Sequence, residues 1–245
     1  MNTVAIVQAR LGSSRLPGKV LADLGGDTML ARVVARLRAA KTIDKVVIAT
    51  TTHASDDPVV REAERLGAGV FRGSESDVLA RYVGAARAFH AGVVVRITSD
   101  CPLLDPGVVD DIVRALRWGT CDYASNTHTR TFPRGLDAEA FLLDTLERIE
   151  RLATSPAAHE HVTAFVMEEP DRFRIRHVIT DRDDSDLRFT VDTADDLAFV
   201  RALYDQLALG SVILPYRDVV DHVRAHPQLA AMNQHVVQKD WHHVA

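Results

Sequence analysis

The chain has 245 residues, of which 47% are hydrophobic and 26% charged, and its formal net charge is −5. This length suits one α/β domain with a sizeable core. The acidic balance leaves no excess of cations for a nucleic-acid backbone, so we expect no nucleic-acid partner. No apolar run approaches ~20 residues, the length of a membrane helix. With no signal-peptide pattern and only Cys101 and Cys121 as cysteines, we expect a cytoplasmic protein and no membrane partner.

In the first half, short apolar runs alternate with stretches of helical spacing. The runs predict strands at residues 3–9, 45–51, 68–71 and 92–98. The helical stretches lie between and after them, at residues 29–40, 57–66, 77–90 and 107–118. Strands that alternate with helices of this length indicate βαβ units and a mostly parallel sheet. The loops after the strands then meet at one edge of the sheet, where ligands of such folds bind.

The second half is less regular. We expect strands at residues 122–125, 136–141 and 173–179, and helices at residues 142–152, 157–167, 194–207 and 215–225. Thr193 suits the N-cap of the 194–207 helix, because Asp195 and Asp196 follow in its first turn. No linker or repeat interrupts the chain. Residues 1–245 are therefore expected to form one domain, with an inserted loop or hairpin region at about residues 122–180.

The loop after the first strand carries the most informative motif, Gln8-Ala9-Arg10-Leu11-Gly12-Ser13-Ser14-Arg15-Leu16-Pro17-Gly18-Lys19. Its cations alternate with glycine and serine, so it presents positive charge and open backbone N–H groups to an anion of the phosphate type. It is not a Walker motif, because Gly12 and Gly18 are too far apart and Val20 follows Lys19 where a hydroxyl would bind magnesium. The dinucleotide G-x-G-x-x-G spacing is also missing. Nucleotide binding of another kind is the first hypothesis.

This loop resembles the nucleotide-binding loop of the cytidylyltransferases that activate sugar acids, the acylneuraminate and 3-deoxy-manno-octulosonate enzymes. It is most similar to the loop of the spore coat polysaccharide biosynthesis protein F family. Blocks in the order of that family follow at residues 72–82 (RGSESDVLARY), 96–103 (RITSDCPL), 132–137 (FPRGLD) and 190–193 (TVDT). The resemblance implies a three-layer α/β sandwich with the sheet of nucleotide-diphospho-sugar transferases. It also implies CTP as substrate, Mg²⁺ as cofactor, an anionic acceptor and a homodimer.

By this resemblance, the catalytic cations that hold the phosphates are Lys19, Arg15 and Arg10. Mg²⁺ would be held by Asp100 and Asp192, since aspartates stand at both positions in the related sugar-acid enzymes. The competing interpretations are a turn-capping role for Asp100 and a helix-entry role for Asp192. The loops that bind the nucleotide would contribute Gln8, Ala9, Gly12, Ser13, Thr50, Ser74 and Asp77. Of these, Asp77 also suits the N-cap of the helix that follows it.

Residues 126–137 combine several hydrogen-bond donors with two arginines. A guanidinium pairs with a carboxylate or phosphate in a bidentate geometry, so we expect this region to bind an anionic, hydroxylated acceptor. The acceptor-binding candidates are Asn126, Arg130, Arg134, Asp137, His161 and Arg188. Zinc at His159 and His161 is rejected, because i,i+2 spacing puts the two on different faces of a helix. Ser99 and Cys101 flank Asp100 where the sugar-acid synthetases have other residues, which disfavours a keto-acid sugar as acceptor.

The sequence thus predicts a nucleotidyltransferase that moves CMP from CTP to an anionic sugar or a small phosphorylated or carboxylated acceptor, with release of pyrophosphate. Two alternatives stay open. A glycosyltransferase that uses a nucleotide sugar needs a D-x-D motif, for which Asp183-Asp184-Ser185-Asp186 is the candidate. A non-catalytic nucleotide-binding module would keep its function without Asp100. The interface of the expected homodimer is placed at the 173–179 strand, and His235, His242 and His243 belong to a tail that is solvated or contacts another subunit.

Overall fold

The computed structural model describes residues 1–238, so His242 and His243 lie outside the described part of the chain. The strands are β1 Thr3–Gln8, β2 Lys45–Thr51, β3 Gly69–Gly73, β4 Val93–Thr98, β5 Tyr123–Ser125, β6 Glu139–Leu142 and β7 Ile175–His177. They form one sheet in the order β3-β2-β1-β4-β6-β5-β7. Strands β3, β2, β1 and β4 are all parallel, β6 is antiparallel to both of its neighbours, and β5 and β7 are parallel. The predicted, mostly parallel sheet is confirmed.

Helices cover both faces of this sheet. They are α1 Met29–Ala39, α2 Asp57–Arg65, α3 Val78–Ala88, α4 Pro106–Trp118, α5 Leu143–Leu152, α6 Pro156–His161, α7 Ala164–Glu168, α8 Ala194–Gln206, α9 Tyr216–Ala225 and α10 Pro227–Ala230. Alternate residues of β1 enter different apolar clusters: Ala5 and Val7 pack with α1, α4 and α8, whereas Val4 and Ile6 pack with α3 and α5. The central strands are therefore buried on both faces, and the three-layer sandwich is confirmed.

Two helix starts near the sheet edge have side-chain caps. Thr193 accepts a hydrogen bond from the backbone N–H of Asp196, and the Asp196 carboxylate accepts one from the N–H of Thr193, so α8 begins with a capping box. Asp77 caps α3 by accepting from the N–H of Ala80 at 2.8 Å. Both capping predictions are confirmed. Each cap fixes a loop that lies at the carboxyl end of the parallel strands.

The helix predicted at residues 157–167 is wrong as a single element. It is interrupted at Val162, which has a φ of 62°, so α6 ends at His161 and α7 begins at Ala164. A β-branched residue rarely adopts this left-handed conformation, and here Val162 is fully buried in the core. The interruption lets the hydroxyl of Thr163 donate to the Glu139 carboxylate at 2.7 Å.

Two predicted strands are shorter in the structure. Residues 136–138 do not join β6, because the Asn126 amide bonds their backbone: its Nδ2 donates to Leu136 O at 2.8 Å, and its Oδ1 accepts from Ala138 N at 3.0 Å. The strand expected at residues 173–179 is limited to Ile175–His177. No helix within residues 1–238 combines the length and the apolar character that crossing a membrane requires.

A buried ion pair joins β4 to β6. Arg96 and Glu139 are register partners, and Arg96 donates to the Glu139 carboxylate, which also accepts from the hydroxyls of Tyr123 and Thr163. Burial alone would raise the pKa of Glu139. The charge of Arg96 and these hydrogen bonds outweigh burial and hold that pKa below its ordinary 4.5.

We predict that Glu139→Gln lowers the free energy of unfolding at pH 7 by about 3–5 kcal/mol, because Arg96 is left buried without its charge partner. A carboxyl whose pKa is lower in the folded than in the unfolded chain stabilises the fold at pH values above its unfolded pKa. This stabilisation is lost as the pH falls through the folded pKa. The difference between wild type and variant should therefore narrow below pH 4.5. Urea titrations across this range measure it. The exposed Glu64→Gln is the control, and a difference that stays constant with pH would contradict the assignment.

Candidate active site

A cleft of about 330 Å³ opens at the carboxyl edge of the sheet. The loop after β1, the end of β4, the start of α3, the end of α6 and the residue before the α8 cap all contribute to its wall. The side chains that line it are Gln8, Ala9, Arg10, Gly12, Ser13, Ser14, Arg15, Lys19, Val20, Val78, Arg81, Thr98, Ser99, Asp100, Glu160, His161 and Asp192. The structure thus brings together residues from five separate parts of the chain, at the edge where ligands of doubly wound sheets bind.

Lys19 lies between the two candidate metal ligands. Its Nζ is 2.9 Å from Asp100 Oδ2 and 2.9 Å from Asp192 Oδ1, and it also donates to the carbonyl of Val191 at 2.7 Å. Gly18, with a φ of 73°, provides the left-handed turn that directs Lys19 back towards the strand ends. The side chain is 9% exposed, so the ammonium is nearly removed from bulk water. A cation in this position neutralises two carboxylates that would otherwise repel each other.

The charges in this cluster shift one another's protonation. Burial alone would lower the pKa of Lys19, but attraction to Asp100 and Asp192 outweighs it and raises the pKa. Burial alone would likewise raise the pKa of Asp192, but Lys19, Arg15 and Arg188 hold it below 3.8. Lys19 and Asp192 therefore remain charged near neutral pH.

Arg188, predicted to bind the acceptor, lies behind Asp192 instead of in the cleft wall. Its Nη2 donates to Asp192 Oδ2 at 2.8 Å and its Nε to Asp196 Oδ1 at 2.8 Å. Asp196 is fully buried, and Asn233 donates to its Oδ1 and to the Arg188 carbonyl, both at 3.0 Å. This arrangement fixes the carboxylate of Asp192. Nothing in the sequence pattern marked Asn233, since its contacts lie more than thirty residues away.

Asp100 and Asp192 fit a divalent cation. Mg²⁺ takes one or two protein carboxylates and completes its shell with phosphate oxygens and water. Within the described residues, no group of three or more His, Cys, Asp or Glu side chains is gathered to form an all-protein site. A pair of carboxylates beside a cleft suits a cation that binds together with a phosphate-bearing substrate.

The other predicted nucleotide-binding residues separate into two sets. Gln8, Ala9, Gly12 and Ser13 line the cleft together with Arg10, whose Nη1 is 3.4 Å from Glu75. Three lie elsewhere: Thr50 is fully buried and does not line the cleft, Ser74 is exposed, and Asp77 lines an adjacent cavity. The Asp77 carboxylate there accepts a hydrogen bond from His159 Nδ1 at 3.0 Å.

A second cavity of about 180 Å³ adjoins the cleft. It is lined by Arg96, Thr98, Thr127, Asp137, Glu139, His161, Thr163, Ala164 and Met167. Two of the predicted acceptor residues, Asp137 and His161, are among them, and His161 and Thr98 line the cleft as well. The connection between the two spaces therefore lies at His161, which has no side-chain hydrogen bond within the described residues.

The remaining acceptor candidates of the 126–137 loop do not line this cavity, although Asp137 of the same loop does. Arg130 donates to both oxygens of Asp137, at 2.6 and 3.0 Å, so this pair orients the loop. Asn126 is fully buried and holds the same loop from inside. Arg134 is half-buried, and its backbone bonds Leu187, Phe189 and Thr190, but its guanidinium has neither a hydrogen bond nor an ion pair within residues 1–238. Burial and the nearby positive charges of Arg130 and Arg188 lower its pKa. A bound anion would reduce the repulsion among these three arginines.

Arg81 and Glu160 line the cleft but were not among the predicted site residues. A signal for Arg81 was present: it follows Val78 by three positions in a helical segment of a matched block, and such positions share one face of a helix. Glu160 stands between the two histidines that we rejected as zinc ligands. Its neighbour His161 was predicted to bind the acceptor. The sequence therefore indicated only one of the two side chains by which the end of α6 lines the cleft.

These features define an α/β protein with a charged nucleotide-type cleft, and comparisons with known proteins agree. Residues 4–214 match the family model for cytidylyltransferases. The spore coat polysaccharide biosynthesis protein SpsF of Bacillus subtilis is 35% identical over 208 residues, which cover 82% of this chain and 85% of that protein. A cytidylyltransferase from Leptospira borgpetersenii superposes with a TM-score of 0.90 at 32% identity, covering 98% and 100% of the two chains.

A CMP:2-keto-3-deoxy-manno-octonic acid synthetase, solved in complex with CTP, has the same fold. Its TM-score is 0.66 at 22% identity, over 84% of this chain and 100% of that one. The chain belongs to the cytidylyltransferase family, and it is a nucleotidyltransferase enzyme. The resemblance seen in the sequence is confirmed, and the alternative of a non-catalytic module is not supported.

The candidate D-x-D motif lies outside the cleft wall. Asp184 is 2% exposed and is paired with Arg182 at 2.7 Å and with Arg224 at 3.1 Å. Asp186 also pairs with Arg224, and Asp183 accepts from the N–H of Ser185. These carboxylates stabilise a turn and do not line the cleft. They are therefore not placed as the metal ligands that a nucleotide-sugar-dependent glycosyltransferase needs.

We predict that Lys19→Met lowers the free energy of unfolding by about 3–5 kcal/mol, since the buried Asp192 and the half-buried Asp100 lose their shared cation. Asp192→Asn in the same chain should recover part of the loss, with a coupling energy of about 0.5–3 kcal/mol. Urea unfolding of the two single variants and the double variant measures this coupling. Arg10→Met, which removes an exposed pair, should change stability by less than about 1 kcal/mol. Additive effects at positions 19 and 192 would contradict the direct contact.

Proposed function

We propose that this enzyme transfers CMP from CTP to an anionic, hydroxylated small-molecule acceptor and releases pyrophosphate. The observation that carries the proposal is Lys19 Nζ, held 2.9 Å from both Asp100 and Asp192 at the cleft. Family membership favours CTP as the nucleotide. The cavity beside the cleft, with its polar wall and adjacent arginines, supports the acceptor class.

The triphosphate would bind along the loop after β1. Lys19 and Arg15, the latter now 3.0 Å from Asp192, would exchange carboxylate partners for phosphate oxygens. A divalent cation, for which we propose Mg²⁺, would be held by Asp100 and Asp192 and would offset charge that develops on the phosphates. Because Arg188 fixes Asp192 from behind, that carboxylate keeps its place while Lys19 and Arg15 turn to the nucleotide. Such preformed charges need little reorganisation during the reaction.

The acceptor would occupy the second cavity, with its anionic group on Arg134. That guanidinium has no partner within the described residues, and a carboxylate or phosphate would relieve its repulsion with Arg130 and Arg188. The pair formed by Arg130 and Asp137 would keep the loop in position. The acceptor's hydroxyl would then face the opening between the two cavities.

His161 would take the proton. Burial lowers its pKa, and this effect and Arg96 outweigh Glu160, so the imidazole is neutral near pH 7 and can accept. The hydroxyl oxygen attacks the α-phosphorus, and a new P–O bond forms. The bond from this phosphorus to the bridging oxygen breaks, pyrophosphate leaves with the electron pair, and the hydroxyl proton passes to a ring nitrogen of His161.

The remaining expectations belong to the same proposal. They are a single domain over residues 1–245 with an acceptor side at about 122–180, a cytoplasmic location and a homodimer. Strand β7 lies at the edge of the sheet, which is consistent with an interface there.

The direct test is release of pyrophosphate from CTP with a panel of anionic sugars and small phosphorylated or carboxylated alcohols. Asp100→Asn should reduce kcat by at least about 100-fold while the melting temperature shows an intact fold. Asp111→Asn, which changes a side chain that is 64% exposed on α4, is the matched control and should keep full activity. No turnover with any acceptor, together with no effect of CTP on the melting temperature of the wild type, would refute the proposal.

Arg134→Gln should raise KM for the acceptor by roughly 10-fold or more and leave KM for CTP unchanged, because only the acceptor's anion loses its partner. Steady-state kinetics with one substrate varied at a time measure the two constants. Arg172→Gln changes an exposed arginine whose partner among the described residues is Glu169, and it should change neither constant. An increase in KM for CTP instead would place Arg134 on the nucleotide.

A further inference from the structure

Arg81 is a buried cation of the cleft wall without a carboxylate partner. It lies in the first turn of α3, is 2% exposed and lines the cleft. Its Nη1 donates to the carbonyl of Ser74, whereas its Nε is buried with no hydrogen-bond partner. Within residues 1–238, no Asp or Glu oxygen lies within ion-pair distance of it. The edge formed by Nε and Nη2 therefore makes no hydrogen bond to the described residues.

The contrast with the other buried cations of the site shows that this arrangement is unusual. Lys19 and Arg188 are each paired with two carboxylates. Burial and the nearby Arg10 lower the pKa of Arg81, and Tyr82, Asp56 and Glu75 offset them only in part. A buried guanidinium with unsatisfied N–H groups is strongly destabilising, unless a ligand supplies the missing acceptors.

The neighbours of Arg81 indicate which part of the nucleotide it would meet. The charged groups that most affect its pKa are Arg10, Asp56 and Glu75. Asp56 bonds the N–H of Leu11 and the hydroxyl of Thr51, so it marks the β2 side of the cleft. Ser74, which Arg81 bonds, follows β3. Arg81 therefore lies on the β2–β3 side of the cleft, whereas Asp100 follows β4, on the other side of β1.

We propose that Arg81 recognises the pyrimidine base and selects CTP over UTP. The inference rests on the proposed function and assigns its base specificity. The Nε and Nη2 groups donate to O2 and N3 of cytosine, which are adjacent acceptors in one plane and match a bidentate guanidinium. Uracil keeps O2 but has an N–H at position 3, so one of the two donors would face another donor. A polar group that loses its partner in this way discriminates strongly between analogues.

The size of the effect follows from known bidentate contacts between arginine and bases. Such a pair discriminates by about 5-fold to about 150-fold. We therefore expect wild-type enzyme with magnesium to bind CTP tighter than UTP by a factor in this range. The triphosphate of the pyrimidin-2-one ribonucleoside, which lacks the amino group but keeps O2 and N3, should bind nearer to CTP than to UTP.

Calorimetric titration of wild type, Arg81→Lys and Arg81→Gln with CTP, UTP and pyrophosphate tests the proposal. Both variants should bind CTP more weakly and lose most of the CTP-to-UTP ratio, whereas their affinity for pyrophosphate should not change. Arg81→Lys keeps the charge without the bidentate edge, so it separates geometry from electrostatics. Arg36→Gln is the control: Arg36 is also buried, pairs with no carboxylate of residues 1–238, and bonds the Leu104 carbonyl, which does not line the cleft.

Three outcomes would overturn the assignment. Equal weakening of CTP, UTP and pyrophosphate would place Arg81 on the phosphates. An unchanged CTP-to-UTP ratio in both variants, with or without a lower melting temperature, would leave Arg81 a structural residue only. Failure of wild type to bind CTP at all would refute the proposed function, and base recognition with it. The wild-type titration thus distinguishes failure of the function from failure of this inference.

Discussion

The bonds from Lys19 to Asp100 and Asp192 are the interaction on which the site depends. They join residues that are 81 and 173 positions apart in the chain. Through them the loop after β1 is held against the end of β4 and the start of α8. Two aspartates this close, and this buried, require a cation between them, so the loop cannot leave without exposing uncompensated charge. The same groups are those that a triphosphate and its metal ion would use, which makes nucleotide binding an exchange of partners.

A second polar network lies beside the cleft, in the wall of the second cavity. The Arg96–Glu139 pair lies in the wall of the second cavity, and Thr163 reaches Glu139 because the chain is interrupted at Val162. That interruption also ends α6 at His161, the side chain shared by both spaces. An unfavourable backbone conformation at one buried residue thus positions a candidate proton acceptor. The free energy that it costs, of the order of 1–3 kcal/mol, is offset by the core packing of Val162 and the buried hydrogen bond.

The sequence predicted the features that depend on residues close together in the chain, namely the central strands and two helix caps. The apolar runs at residues 3–9, 45–51 and 92–98 correspond to β1, β2 and β4, because buried parallel strands are apolar on both faces. Thr193 and Asp77 were recognisable as caps. The resemblance to a known family singled out Lys19 and its two aspartates, although no spacing rule brings residues so distant in the chain together.

The features that the sequence did not predict depend on contacts between residues far apart in the chain. The Asn126 amide takes the backbone bonds that would have extended β6. The conformation of Val162 depends on the surrounding core, so the periodicity of residues 157–167 could not reveal it. The role of Arg188 at the acceptor stays a prediction; its pairing with Asp192 and Asp196 behind the site is also a contact that the sequence did not show. Arg81 and Asn233 needed the cleft and the C-terminal contacts to be seen.

A crystal structure with CTP and Mn²⁺, with anomalous data collected for the metal, tests the central claim most directly. Our account predicts an anomalous peak within ligand distance of Asp100 and Asp192, with Lys19 and Arg15 turned onto the triphosphate. A triphosphate bound elsewhere, or a metal site that does not include both carboxylates, would contradict it.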